Sequence, residues 1–169
     1  DPTLGVKQIG IEVNNPAQNV KITVIKYDGK PAEVSVAKTG NVYQYLKIDA
    51  QNLGTNLNKA SVLFKVEKSW ASSNSLDKDK ISVYKFDESA GKWNELATTF
   101  SSEDDTYYYY NAEVSSFSYF AISEKTLATG EGTDSTGQAP AAPEGRSLTW
   151  LWILIALVII VAIWLMMRK

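Results

Sequence analysis

Residues Leu148 to Met167 read LTWLWILIALVIIVAIWLMM, 20 consecutive residues without a charge, a proline or a glycine. As a helix rising ~1.5 Å per residue, this stretch is ~30 Å long, the thickness of bilayer hydrocarbon. A helix that is apolar all round cannot be covered by a soluble domain of this size. The segment is therefore expected to span a membrane. Trp150 and Trp152 near its start and Trp164 near its end stand where interfacial tryptophans belong. Arg168 and Lys169 follow directly, whereas the preceding flank offers only Arg146 close to Glu144. The positive-inside rule then puts the C-terminus in the cytoplasm and everything before residue 147 outside. The C-terminal position excludes a signal peptide. An exported topology needs an N-terminal signal, so a chain opening on Asp1 is expected to be a mature form or a piece of a longer precursor.

The chain contains no cysteine and no histidine. That removes disulfides, thiolate nucleophiles, cysteine-ligated zinc and iron–sulfur sites. It also removes Ser-His-Asp and Cys-His catalysis and imidazole metal sites. Carboxylate pairs, a lysine nucleophile and oxygen-ligated cations stay open. Three of the 17 basic residues, Arg146, Arg168 and Lys169, flank the span, while all 19 acidic residues precede it. The first 145 residues thus hold 14 basic and 19 acidic side chains, a net charge of −5. An acidic exterior argues against binding nucleic acid or docking on anionic lipid.

Residues 126–147, TLATGEGTDSTGQAPAAPEGRS, are rich in Gly, Ser, Thr, Ala and Pro and read as a flexible linker. As a coil they span ~25–28 Å, and ~75 Å when stretched. Residues 1–125 read as a β domain. Val20–Tyr27 alternates, with Val20, Ile22 and Val24 on one face, and Asp28-Gly29 marks a turn. Glu33–Ala37, Val42–Ile48, Ala60–Val66 and Ile81–Phe86 show the same period of two. Trp93–Leu96 is a short strand, and Tyr107–Val114 with Phe117–Ser123 forms the expected final pair. Ser69–Leu76 breaks the alternation and reads as one helical turn or a crossover between sheets. Seven or eight short strands between regular turn signals predict an all-β, antiparallel, Ig-like sandwich. The expected order is therefore the sandwich, the linker at 126–147, the transmembrane helix at 148–167 and a basic tail at 168–169.

A series of residues in the second half is distinctive. Val66 and Lys68-Ser69-Trp70 precede Ile81-Ser82-Val83-Tyr84-Lys85-Phe86; Trp93-Asn94-Glu95-Leu96 and Thr98 follow, then Tyr109-Tyr110-Asn111-Ala112 and finally Phe117-Ser118-Tyr119-Phe120-Ala121-Ile122. The series resembles the PGF-pre-PGF domain of archaeal cell-surface proteins, which ends shortly before a linker and a C-terminal membrane segment. The resemblance covers roughly residues 4–125 and is strongest from Val62 onward, with the closing Phe-Ser-x-Phe-Ala-Ile element its most specific part. Ser116 stands where the family usually has glycine, and no Pro-Gly-Phe tripeptide precedes the span, which favours a retained helix. The resemblance implies an archaeal, extracytoplasmic, S-layer-associated protein. No enzymatic activity is tied to the family's motif residues, so it supplies no catalytic site.

Trp70, Trp93, Phe117 and Phe120 are expected in the sandwich core, since each buries ~150–250 Å². In a strand over Tyr107–Tyr110, Tyr107 and Tyr109 face one side and Tyr108 and Tyr110 the other. One pair should be buried, leaving the other as an aromatic ledge suited to a sugar or protein partner. Glu103, Asp104 and Asp105 form a carboxylate cluster able to offer hard oxygen ligands to Ca²⁺, although the pattern of a dedicated loop is missing and solvated charge is the plainer reading. Asp1–Leu4 is expected to be free to reach a partner, at the domain end far from the linker or along a sheet edge.

No cofactor and no catalytic site are expected. The chain is read as a non-enzymatic anchor or spacer. Held in the archaeal cytoplasmic membrane by a single pass, N-terminus outside, it would tie an S-layer, another surface protein or the rest of its own precursor to the cell. The alternatives are a surface-displayed carbohydrate- or protein-binding module and an accessory subunit of a membrane complex.

Overall fold

The computed structural model describes residues 3–126, which form an all-β domain of two packed antiparallel sheets. The strands among them are β1 (Val6–Val13), β2 (Lys21–Tyr27), β3 (Val42–Gln51), β4 (Leu57–Glu67), β5 (Ile81–Asp87), β6 (Lys92–Glu95), β7 (Thr98–Glu103), β8 (Tyr107–Val114) and β9 (Tyr119–Glu124). One sheet has the order β1-β4-β8-β7 and the other β2-β3-β9-β5-β6. The expected linker, membrane span and basic tail at 126–169 lie, but for Thr126, outside the described residues. Within those residues no helix is long and apolar enough to cross a membrane.

The period of two decides what each strand buries. On β4, Ala60, Val62, Phe64 and Val66 are fully buried, and Ser61, Leu63, Lys65 and Glu67 alternate with them on the outer face. The facing sheet contributes Leu46, Ile48, Val83, Phe120 and Ile122. Phe64 and Phe120 meet between the sheets with ring centroids 6.2 Å apart. A tilted pair like this contributes ~0.5–1.5 kcal/mol beyond the area it buries. Ile22 and Val24 pack on the same core, as their alternation predicts.

Several expectations need correction. Glu33–Ala37 is not a strand. Residues 28–41 instead form a strap across the outer face of the five-stranded sheet, with Pro31, Val34 and Lys38 buried beneath it. β1 and β7 are strands that the pattern does not announce. Both lie at sheet edges and contain a register shift; β7 has one large apolar residue, Phe100, and β1 alternates only over Ile9, Ile11 and Val13, out of step with Val6. β9 starts at Tyr119, with Phe117 in the preceding turn. Lys68–Ser73 is a helical turn, and it also carries the chain from one sheet to the other. Its Trp70 packs edge-on to Tyr43, with ring centroids 5.1 Å apart.

The start of the chain is also held. Gly5 N donates to Gln44 Oε1 at 2.6 Å, Gln44 Nε2 donates to the Thr3 carbonyl at 3.1 Å, and Lys65 N donates to the Gly5 carbonyl at 2.9 Å. Leu4 packs against the core. Gln44 pairs with Ile122 near the end of β9, so Thr3–Gly5 enters the sandwich at the end where Thr126 leaves it. The expectations of a free N-terminus and of its place at the opposite end are therefore overturned for Thr3 and Leu4, while the alternative place, along a sheet edge, is where Gly5 leads, into edge strand β1.

Candidate functional site

The four tyrosines of β8 divide as the strand period requires. Tyr108 and Tyr110 face the core, where Phe100 meets both rings edge-on, at 6.3 Å and 5.9 Å. The Tyr110 hydroxyl donates to the Lys78 carbonyl at 2.8 Å, and burial pushes its pKa well up. Tyr107 and Tyr109 face outward with ring centroids 6.2 Å apart. They do not form a bare ledge. Lys7 Nζ lies 4.0 Å from the Tyr109 centroid and Lys65 Nζ 4.6 Å from that of Tyr107. The ammonium groups sit on the electron-rich ring faces, and the lysine stems cover apolar surface. Tyr109 is only 7% exposed as a result.

The carboxylates before this strand have separate tasks. Asp104 Oδ1 accepts the backbone N–H groups of Thr106 at 2.8 Å and Tyr107 at 2.7 Å, and Oδ2 accepts the Tyr109 hydroxyl at 2.6 Å. These bonds, the tyrosine's first, hold its pKa down at about 2. Glu103 pairs with Lys68 at 3.4 Å. Among the described residues no group of three or more carboxylates gathers as a metal site, so Glu103, Asp104 and Asp105 do not converge as a calcium ligand set would require.

A second aromatic layer, invisible to strand periodicity, lies under the strap. Tyr27, Phe86, Trp93 and Tyr119 surround Val34, and Tyr45 and Tyr84 continue the patch. Trp93, expected in the sandwich core, belongs here; its indole N–H donates to the Val36 carbonyl at 3.0 Å. Lys38 is buried with Nζ 4.0 Å from the Tyr84 ring centroid and donating to the Thr39 carbonyl at 2.7 Å. Desolvation lowers its pKa, opposed by the charges of Glu95 and Glu124. Lys30 Nζ donates to the carbonyls of Val34 and Pro31, closing the strap's first turn. The sequence signal for this layer was Val34 and Lys38 spaced four apart in a segment bounded by Asp28-Gly29 and Gly40.

At the end away from Thr126, the β8–β9 turn stands between two open clefts of about 510 Å³ and 470 Å³. Phe117 lines both. The larger also presents Lys85, Glu88, Asn94, Glu113 and Ser116. Lys85 Nζ donates to Ser116 Oγ, and burial lowers the lysine's pKa against the pull of Asp87 and Glu88. Ser118 Oγ donates to Glu88 Oε1 at 2.9 Å. The cleft offers hydrogen-bonding and ionic groups beside Phe117 and Phe86. Trp150, Trp152, Trp164, Arg168 and Lys169, expected at the membrane interfaces, lie outside the described residues.

A scan against protein-family models finds no match, and searches of the curated proteins and of the solved structures return none.

Proposed function

We propose that the chain is a non-enzymatic cell-envelope anchor, an Ig-like domain that ties a surface assembly to the membrane through the apolar segment at 148–167. The observation that carries this reading is how the chain leaves the domain. It exits through β9, which is bonded on both sides, to β3 and to β5, in the middle of the five-stranded sheet. At the last residue of the strand and beyond it the backbone stays clamped. Glu124 N donates to the Asn41 carbonyl at 2.8 Å, Lys125 N to the Lys80 carbonyl at 2.7 Å and Thr126 N to the Tyr84 hydroxyl at 3.0 Å. A pull on residue 126 along the strand loads two ladders in shear, so their hydrogen bonds resist together. An edge strand pulled across its ladder would open one bond at a time. The resemblance to archaeal cell-surface domains and the order of domain, linker and span agree with this use. A load-sharing exit suits a protein whose domain and membrane segment are pulled apart.

The clefts flanking Phe117 face away from the exit and favour a partner bound at that outer end, an S-layer subunit or another surface protein. They also favour the second reading, a displayed carbohydrate- or protein-binding module. The test uses cells producing the full chain. An anchor stays in the membrane pellet through alkaline extraction, loses its domain to protease added outside intact cells, and cross-links to one abundant surface protein. Recovery in the alkaline wash, or protection until lysis, overturns the proposal. Anchoring and surface exposure without a protein cross-link would favour the second reading.

A further inference from the structure

Among the described residues the two sheets have four edge strands, β1, β7, β2 and β6. Native sheets blunt such edges, because an open row of backbone donors and acceptors recruits further strands. Three of the four are blunted. β1 carries two register shifts and β7 one, and β6 has only 4 residues. β2 differs. All 7 of its residues pair with β3 in unbroken register, from Lys21 with Gln51 to Tyr27 with Tyr45. It contains no proline or glycine; its only edge protection is Lys21 and Lys26, and between them run Ile22, Thr23, Val24 and Ile25. Ile25 is 43% exposed, one of the few large apolar side chains in the domain that is.

We propose that the β2 edge pairs with the β2 edge of a second copy of this chain, antiparallel about a two-fold axis at Val24. The occupant follows from the strand itself. Paired residues must share a face, and centring on Val24 is the symmetric register that uses all seven residues. It places Thr23 against Ile25 of the second copy and Lys21 against Tyr27, all on the outer face, with Ile22 against Lys26 on the other. Two β-branched pairs fill the centre, and no lysine faces a lysine. Each outer pair sets a lysine on a tyrosine, a contact this domain already makes at Tyr84, Tyr107, Tyr108, Tyr109 and Tyr119. The two five-stranded sheets become one continuous sheet. The two-fold axis points the chain exits in opposite directions, so paired copies are rooted in facing membranes or reach one membrane through linkers able to stretch ~75 Å.

The experiment uses the full chain in detergent, where the absence of native cysteine gives a clean background. The T23C/I25C variant should form a disulfide-linked dimer on oxidation, while K21C/T23C, whose cysteines do not face each other in this register, should not. The wild-type chain should measure as a dimer by light scattering. I25K, at an exposed position, should weaken that dimer about tenfold through its two symmetric contacts. A monomeric wild type, a dimer indifferent to I25K, or equal cross-linking of the two cysteine variants overturns the proposal.

Discussion

The Tyr109 hydroxyl donates to Asp104 Oδ2 at 2.6 Å, binding the middle of β8 to the turn that starts it. The aspartate's other oxygen takes the backbone N–H groups of Thr106 and Tyr107, so one carboxylate both closes the turn and orients the outer tyrosines. Its folded pKa, about 2, lies below the ordinary ~3.9. A depressed acid contributes stability above its unfolded pKa and loses it as pH falls through the folded value. The melting temperature should therefore fall as pH drops from about 4 to about 2, and Asp104→Asn should flatten that part of the profile while melting lower at neutral pH. A variant as acid-sensitive as the wild type would show that Asp104 is not the responsible group.

Gly5 passes between Gln44 and Ile122 with no room for a side chain. A Cβ there would stand 2.7 Å from Gln44 Oε1 and 2.7 Å from Ile122 Cδ1. Gly5→Ala should cost about 1–3 kcal/mol, measured by denaturant unfolding, because two bonds hold Gln44 in place. Deleting residues 1–5 should likewise destabilise the domain. Unchanged unfolding midpoints would mean that the entry is looser than these contacts indicate.

The strap should open without the sandwich. Val34 is fully buried under it, and an aspartate there forfeits about 1.5–3 kcal/mol of burial and adds a charge. Val34→Asp should make the peptide bond after Lys38 sensitive to trypsin, with β-sheet circular dichroism retained. Resistance at Lys38 would show that the strap is held by more than this cluster.

Tyr84 tests the exit clamp. Tyr84→Phe keeps the ring under Lys38 but removes the acceptor of Thr126 N. Amide exchange at Thr126 should speed up about 5- to 10-fold, the equivalent of one lost hydrogen bond, with little change at the centre of β9. Exchange at Thr126 already at the rate of an open chain in the wild type would remove the clamp from the proposed anchoring role.

Alternation along the chain determined much of this protein. β2, β3, β4, β5, β8 and β9 are legible as strands because each residue's inward or outward direction is fixed by its immediate neighbours, so Val62 and Phe64 on β4 or Ile22 and Val24 on β2 declare their buried face without a partner. The inward pair of Tyr108 and Tyr110 follows from the same rule. The expectation of a membrane span rests on local apolar content alone. What only the tertiary structure decided depends on contacts between residues far apart in the chain. Glu33–Ala37 has strand-like alternation, yet the outer face of the neighbouring sheet offers Val34 an aromatic pocket in place of a ladder. β1 and β7 pair despite weak patterns because β4 and β8 present open edges to them. Lys7 and Lys65 roof the outer tyrosines from other strands, 102 residues before Tyr109 and 42 residues before Tyr107 respectively. Gln44 reaches back 39 residues to hold Gly5, and so sets the chain's entry beside its exit. Such pairings have no local signature, since they arise when folding brings separate faces together and each buried polar group must find a partner.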